Sequence, residues 1–296
     1  MISVIIPTHN RAELVLRAMD SVLCQSEATE VIVVDDGSTD DSRQILEERR
    51  REEPRVRLIT QACRGAAAAR NRGAAVAQGD VLVFLDSDDE LLPQSLAVFA
   101  AGFRDPTVGA VCSAAMFVDA NGAEKSISHP RPLGPAYNNQ KGLFLAGTFA
   151  VRRDTFQELG GFAVSCRSSQ HTEFALRLIP YLMRDGRRLK MRDDLTVRVH
   201  VHEQDHLRGD VTNLLEGALY IIETHGTQLR QSARYFADWH NIAAVYAAKM
   251  NRLGLARSLF LTSIWAYPRN AKNLMRLVIA CLPPIARRVW RVDVTK

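Results

Sequence analysis

Uninterrupted runs of apolar residues recur along the first third of the chain, and each run ends in polar or acidic residues. Runs without polar alternation predict strands that are buried on both faces of a sheet. Between them lie segments with apolar residues at helical spacing, such as the one from about Ala12 to Gln25. The predicted strands are Ile2–Ile6, Val31–Val34, Val56–Ile59 and Val81–Leu85. This alternation is typical of an α/β protein with a doubly wound, mostly parallel sheet.

The fourth predicted strand leads directly into three acids, Asp86, Asp88 and Asp89. Carboxylates at the carboxyl end of a buried strand lie at the edge of an α/β sheet where ligands bind. Hard oxygen ligands grouped in this way suit Mg²⁺ or Mn²⁺ shared with the phosphates of a substrate. The same acids also fit the start of a helix near Leu91. This stretch alone favours neither interpretation.

Two further segments bring polar residues to the same edge of the predicted sheet. Asp35 and Asp36 follow the second strand, where a carboxylate can accept a hydrogen bond from a ribose hydroxyl or a base N–H. A plain Asp-Gly turn is the alternative interpretation. Arg70 and Arg72 lie on different sides of an alanine-rich helix, so one of them can reach a diphosphate while the other is solvated.

The middle of the chain carries weaker signals. An Asn-Gly pair within 109–128 predicts a β-hairpin. The stretch 129–142, rich in Pro, Gly and Asn, predicts either a loop over the cleft or an ordinary surface loop. After a strand at Leu195–Val199, His200 and His202 share one face of an extended segment. The alternatives are surface histidines on a polar loop or, less favoured, a zinc site.

From about residue 209 onward the pattern changes to successive helices, which prolines interrupt near the end of the chain. Between residues 245 and 296 Asp293 is the sole acid among many Lys and Arg residues. A basic amphipathic segment that also carries Trp265 and Trp290 can lie on an anionic membrane. The alternatives are a helical lid over the rest of the protein and a contact between two copies of the chain, a homo-oligomer.

Composition narrows the class of protein. A chain of 296 residues, 47% apolar and 24% charged, can form one large core and a smaller appendage. The net charge of +5 comes without a nucleic-acid-binding motif, so nucleic acid is not predicted as a partner. Five scattered cysteines predict reduced thiols in a cytoplasmic protein. Neither a signal peptide nor a membrane span is predicted.

Four motifs together resemble the family 2 glycosyltransferases. They are Pro7-Thr8-His9-Asn10-Arg11, Asp35-Asp36-Gly37-Ser38-Thr39-Asp40, Ala69-Arg70-Asn71-Arg72-Gly73 and Asp86-Ser87-Asp88-Asp89. The motifs occur in the order and at the spacings typical of that family, and the resemblance covers about residues 1–205. It implies a GT-A fold, a nucleoside-diphosphate-sugar donor with UDP as the preferred nucleotide, a Mn²⁺ or Mg²⁺ cofactor and inversion at the transferred sugar.

The resemblance also implies roles for individual residues. Asp86 and Asp88 form the D-x-D pair, with Asp88 the more direct metal ligand, and His202 lies near the metal and the diphosphate. The residues expected to bind the nucleotide-sugar are Pro7, Thr8, Asn10, Arg11, Asp35, Asp36, Arg70, Asp86 and Ser87.

One position departs from the family pattern. After a Gly-Gly-Phe turn the family has a helix that opens with Glu-Asp and, two residues later, Glu; the Asp deprotonates the acceptor hydroxyl. Here the stretch reads Gln170-His171-Thr172-Glu173, so that His171 stands at the position of the Asp. An imidazole, with an ordinary pKa of about 6.5, can serve as the base. Glu173 would supply the missing negative charge, although residues 171 and 173 lie about 200° apart on a helix.

The sequence therefore predicts a metal-dependent, inverting glycosyltransferase. Its GT-A domain spans 1–208, with a nucleotide-sugar-binding half at 1–105 and an acceptor half at 106–208, and a helical region follows at 209–296. The expected acceptor is a saccharide or a lipid-linked saccharide in cell-surface polysaccharide or glycan synthesis. The alternative is a protein that binds a nucleotide-sugar without processing it and acts as a scaffold. A nucleotidyltransferase is disfavoured because the N-terminal region has no Gly-rich phosphate loop.

Overall fold

The computed structural model describes residues 1–201, 210–269 and 271–290, which fall into two compact units. Unit 1 comprises Met1–Leu133, Gln140–Val164 and Arg177–Glu203. Unit 2 comprises Gly134–Asn139, Ser165–Leu176 and Gln204–Lys296. Two short segments from the predicted acceptor half thus group with the C-terminal helices.

Unit 1 is organised around one mixed sheet, in which nine strands are found among the described residues. The strands are β1 (Ile2–Thr8), β2 (Thr29–Asp35), β3 (Val56–Thr60), β4 (Val81–Phe84), β5 (Glu90–Leu91), β6 (Val108–Val118), β7 (Glu124–Ser128), β10 (Phe149–Arg152) and β11 (Arg188–His200). Their order is β3-β2-β1-β4-β10-β6-β11-β5, and β7 pairs with β6. The first four strands are parallel, as the sequence predicts. Two short strands, β8 (Arg131–Pro132) and β9 (Lys141–Gly142), form a separate ribbon within the predicted loop.

Helices pack on this sheet through small and apolar side chains. The helices are α1 (Ala12–Leu23), α2 (Ser42–Glu52), α3 (Ala66–Val76), α4 (Ser95–Gly102) and α5 (Arg153–Glu158), and α6 (Gln170–Arg184) passes from unit 2 into unit 1. In α3, a Cβ added at Gly73 would lie only 2.6 Å from Cγ2 of Ile5. The alanines of α3 and its single glycine, Gly73, therefore allow a close approach to β1.

The acids after β4 do not begin a helix, so the helix-start interpretation of this stretch is wrong. Glu90 and Leu91 instead form β5, which pairs with Val197 and Arg198 of β11, and α4 begins only at Ser95. Leu91 is buried in the core at this point. The strand partner of β5 lies more than a hundred residues further along the chain, which the local pattern could not reveal.

Unit 2 is helical in the C-terminal region, as the sequence predicts. Its helices there are α7 (Val211–Leu229), α8 (Ala233–Lys249), α9 (Leu253–Ala266), α10 (Ala271–Cys281) and α11 (Pro283–Val289). The proline pair interrupts the helical run as expected, but Pro283 also begins α11, a position that proline tolerates because its missing N–H is not needed there. Within residues 1–201, 210–269 and 271–290, no helix is both long and apolar enough to cross a membrane.

Glu30 of β2 is a buried carboxylate that ties the edge of β1 to the turn before β4. Its Oε1 accepts hydrogen bonds from Oγ of Ser3 (2.5 Å) and from the backbone N–H groups of Gln78 (2.5 Å) and Gly79 (3.2 Å). Burial by itself raises the pKa of Glu30, but these donors and Arg57 outweigh it and hold the pKa below its usual value. The folded state therefore binds the ionised carboxylate in preference to the protonated one.

We expect Glu30→Gln to lower the free energy of unfolding at pH 7 by about 1–3 kcal/mol, because several hydrogen bonds lose their charged acceptor. The native protein has this stabilisation above the ordinary glutamate pKa and loses it as pH falls through the lowered pKa of the folded state. The difference between native and variant should therefore shrink in acid. Chemical denaturation at pH 7 and at pH 3 measures it, with the exposed Glu48→Gln as control. An equal difference at both pH values would contradict a role for the charge.

Candidate functional site

A cavity of about 410 Å³ lies in unit 1 where β1 and β4 end. It is lined by Pro7, Thr8, His9, Arg11, Asp36, Ala66, Arg70, Asp86, Ser87 and Asp88. Eight of these ten residues are among those that the sequence predicts as donor or metal contacts. His9 and Ala66 are additional: His9 follows Thr8 in the loop after β1, and Ala66 is the first residue of α3, the helix that carries Arg70.

The register of the parallel strands explains why these side chains meet. Thr8, the last residue of β1, stands opposite Asp35, the last residue of β2. On the other side of β1, Ile5 stands opposite Phe84, the last residue of β4. The segments that follow the three strands therefore leave the sheet at the same edge, where α/β proteins bind their ligands.

Asp36 is buried and holds the loop that leads into α3. Its Oδ1 accepts hydrogen bonds from Nε2 of Gln61 (2.7 Å) and the backbone N–H of Arg64 (2.9 Å), and its Oδ2 accepts one from the N–H of Gly65 (2.7 Å). The thiol of Cys63, a weak donor, also lies 3.9 Å from Oδ2, so the replaceable donor at Asp36 is this thiol. Next to it, Gly37 has φ +79° and lies so close to Cys63 that a Cβ would be 2.8 Å from its backbone nitrogen.

Asn10 and Asp35 were predicted to bind the donor, but they are not among the lining residues. Oδ1 of Asn10 accepts a hydrogen bond from the N–H of Thr39 (2.7 Å), and Oδ1 of Asp35 accepts one from the N–H of Ser38 (3.0 Å). Oγ of Ser38 in turn accepts from the N–H of Asn10 (2.9 Å). The side chain of Asn10 thus joins the loops after β1 and β2, and the side chain of Asp35 supports the loop after β2.

The acids after β4 form a compact cluster. One ligand atom from each of Asp86, Asp88 and Asp89 lies within 4.8 Å of the others. Asp86 pairs with Arg70 (Oδ1 to Nη2, 2.5 Å), and Asp88 pairs with Arg11 (Oδ2 to Nη1, 2.5 Å). Burial, together with the charges of Asp86 and Asp88, raises the pKa of Asp89 to about 8. A concentrated set of hard oxygen donors of this kind fits Mg²⁺ or Mn²⁺.

The acidic loop is held on one side by Arg17, which the sequence did not single out, and on the other by His200, which it did. Nη2 of Arg17 in α1 donates to the carbonyl oxygen of Asp88 (2.6 Å), and Nε of Arg17 lies 3.4 Å from Oε1 of Glu90. Nε2 of His200 lies 2.6 Å from the same Glu90 oxygen, and its backbone N–H donates to Oδ1 of Asp89 (3.0 Å). The sequence feature that could have pointed to Arg17 is its position in α1, only six residues after Arg11. His202, predicted near the metal, lies outside the described residues.

Thr8 is buried at the inner wall of the cavity, with 3% of its surface exposed. Its hydroxyl oxygen has no hydrogen-bond partner among the residues that the structure describes. Buried hydroxyl groups are nearly always hydrogen-bonded, so an unpartnered one in a cavity wall fits a polar ligand.

His171 and Glu173 both lie at the start of α6, in the part of the helix that belongs to unit 2. Glu173 is fully buried, and its Oε1 lies 3.2 Å from Nε2 of the buried His225 in α7. His171 is only partly buried. The structure therefore places Glu173 in the interior of unit 2 and not at a surface facing a substrate. Its partner lies 52 residues further along the chain, where no local pattern could identify it.

Residues 3–160 match the family model described as Glycosyl transferase family 2. An uncharacterized glycosyltransferase of Nostoc sp. is 38% identical over 136 residues, which are 45% of this chain and 42% of that protein. The chain thus spans less than half the length of that relative.

Two solved structures share the fold. S. aureus TarS 1–349 in complex with UDP-GlcNAc is 18% identical with a TM-score of 0.63, covering 99% of this chain and 88% of that one. The mannosyltransferase PcManGT from Pyrobaculum calidifontis, in complex with GDP-Man and Mn²⁺, is 19% identical with a TM-score of 0.54. The match covers 98% of this chain and 87% of that one. The GT-A fold that the sequence predicts is thereby confirmed.

Proposed function

The chain belongs to glycosyl transferase family 2, and we propose that it is a nucleotide-sugar-dependent glycosyltransferase that transfers its sugar with inversion and with a divalent metal ion. The observation that carries this proposal is the cavity at the ends of β1 and β4. There, two strand-end carboxylates, Asp86 and Asp88, stand beside two arginines, Arg11 and Arg70. Such an arrangement offers cations to a diphosphate and oxygen ligands to a metal ion in one place.

We propose that the nucleoside binds near Asp36 and Thr8 and that the diphosphate extends toward the acidic cluster. A base N–H can take the place of the weak thiol donor at Oδ2 of Asp36, and the buried hydroxyl of Thr8 suits a further polar contact. UDP is the nucleotide we propose to test first. TarS binds UDP-GlcNAc whereas PcManGT binds GDP-Man, so both nucleotides belong in the test.

Asp88, with help from Asp86, would hold Mn²⁺ or Mg²⁺. The bound ion would neutralise charge on the leaving diphosphate. Arg11 and Arg70 are placed to bind diphosphate oxygens, and Arg17 keeps Asp88 in position through its carbonyl oxygen. The presence of Mn²⁺ in the PcManGT structure supports the same kind of site in this chain.

We propose His171 as the general base that takes the proton from the acceptor hydroxyl as this hydroxyl attacks the anomeric carbon. General bases typically accelerate such steps by about 10²–10⁴-fold. Glu173, buried against His225, is better suited to hold the helix that carries His171 than to contact the sugar. The proposed acceptor is a saccharide or a lipid-linked saccharide, as in the synthesis of cell-surface polysaccharide or glycans.

A second candidate function rests on the same residue. His171 stands where the family has an aspartate, so a protein that binds nucleotide-sugars without transferring them, and acts as a scaffold for other transferases, is the alternative.

Release of nucleoside diphosphate from a panel of UDP- and GDP-sugars tests the proposal. The native protein is assayed with Mn²⁺, with Mg²⁺ and with a chelator, in the presence of saccharide acceptors. Metal-dependent release with at least one donor supports the transferase. Metal-dependent donor binding without release supports the scaffold, and a lack of donor binding would contradict the assignment of the cavity.

A further inference from the structure

Three consecutive helices of unit 2 expose large apolar side chains. On each helix two of these side chains lie four residues apart, and so on one helical face. Trp265 is the most exposed of them, at 86%. The six residues are Leu261, Trp265, Leu274, Val278, Ile285 and Val289. Exposed apolar helix faces of this kind usually mark an interaction site.

The inner faces of these helices are fixed by packing within unit 2. Nδ2 of Asn273 donates to Oγ of Ser263 (2.8 Å), and Nε of Arg257 donates to the carbonyl oxygen of Ala280 (2.8 Å). These contacts join α9 to α10. The ring of Phe260 stacks on Trp290, with 6.1 Å between centroids, just after α11. The exposed apolar faces therefore belong to folded, packed helices.

The positive charge of these helices indicates an anionic partner. The sequence contains no Asp or Glu between residues 239 and 292, whereas Arg269, Lys272, Arg287 and Arg288 are exposed there. Arg269 and Lys272 also line a cavity of about 500 Å³, together with Arg234 and Asp238. Because these exposed cations would meet the same cations in a second copy, like charges oppose a dimer through this face.

We propose that helices α9, α10 and α11 dock onto a membrane surface that contains anionic lipids. The apolar side chains enter the interface between headgroups and acyl chains, and the surrounding cations pair with lipid phosphates. Trp265 suits the interface because its ring is apolar and its N–H is polar. This docking belongs to unit 2 alone and does not depend on the proposed transfer reaction.

Co-sedimentation of the full chain with vesicles tests the proposal. Vesicles of phosphatidylcholine alone are compared with vesicles in which part of it is replaced by phosphatidylglycerol. We expect binding to the anionic vesicles at least about tenfold stronger, and weakened by salt. Trp265→Ser with Leu261→Ser should reduce this binding by about tenfold, and Lys272→Glu with Arg269→Glu should do the same. Ile127→Ser, an exposed apolar residue of unit 1, should leave it unchanged.

Two outcomes would overturn the proposal. One is equal binding, or no binding, with neutral and anionic vesicles. The other is a dimer in light scattering that Trp265→Ser dissociates, which would assign this face to a second copy of the chain. Circular dichroism of each variant excludes unfolding as the cause of lost binding. Asp88→Asn should bind vesicles like the native protein, which separates this proposal from the proposed reaction.

Discussion

Replacing Asp88 by Asn should lower the metal-dependent kcat/KM by about a thousandfold, which corresponds to about 4 kcal/mol of transition-state stabilisation. The substitution preserves the shape of the side chain but removes the charge that binds a divalent cation. Asp88 is the member of the acidic cluster that faces Arg11, at 2.5 Å, in the cavity wall. Without the ion, charge on the leaving diphosphate would be balanced by the two arginines alone.

The measurement combines turnover with direct binding. Steady-state release of nucleoside diphosphate is followed over a range of Mn²⁺ concentrations, and Mn²⁺ binding is titrated calorimetrically with and without UDP. Asp80→Asn is the matched control, because Asp80 is an exposed acid just before β4. If Mn²⁺ stimulated the turnover of Asp88→Asn as fully as that of Asp80→Asn, Asp88 would not be a metal ligand.

The edge of the sheet could be predicted from sequence because it depends on local patterns. Runs of apolar residues predict buried parallel strands, and the residues that follow such strands lie together at one edge of the sheet. Thr8, Asp36 and Asp86 therefore meet in one cavity although 78 positions separate the first from the last. Four motifs in the right order were enough to identify most of the cavity lining.

The remaining features depend on partners that are distant in sequence. The pairing of Glu90 with β11 makes the residues after Asp89 a strand and not a helix, and the N–H of Thr39, 29 residues further along the chain, fixes the side chain of Asn10. Glu173 is the clearest case, because its burial depends on His225 of another helix. A local pattern reports which side chains are polar, whereas tertiary packing decides whether a polar side chain faces a ligand or supports the chain.

Removing the imidazole in His171→Ala should lower kcat by about 10²–10⁴-fold, with a smaller effect on the KM for the donor. The reason is that the base acts on the acceptor hydroxyl, whereas the residues assigned to the donor lie in the cavity of unit 1. An imidazole accepts a proton only when neutral, so the rate of the native protein should fall toward acid pH. Initial rates of nucleotide release between pH 5 and 9 measure both effects.

His171→Asp separates the two candidate functions, because it restores the residue that the family carries at this position. A carboxylate is ionised throughout the range from pH 5.5 to 9, with an ordinary pKa of about 3.9, so the acidic fall in rate should disappear. For a transferase that uses His171, the variant should retain activity and lose the pH dependence. For a scaffold, the native protein should bind donors without turnover, and the variant should gain turnover. Thr172→Ala, the neighbouring substitution on α6, should change neither the rate nor its pH profile. If it alters them as much as His171→Ala does, the disturbance lies in the helix and His171 is not the base.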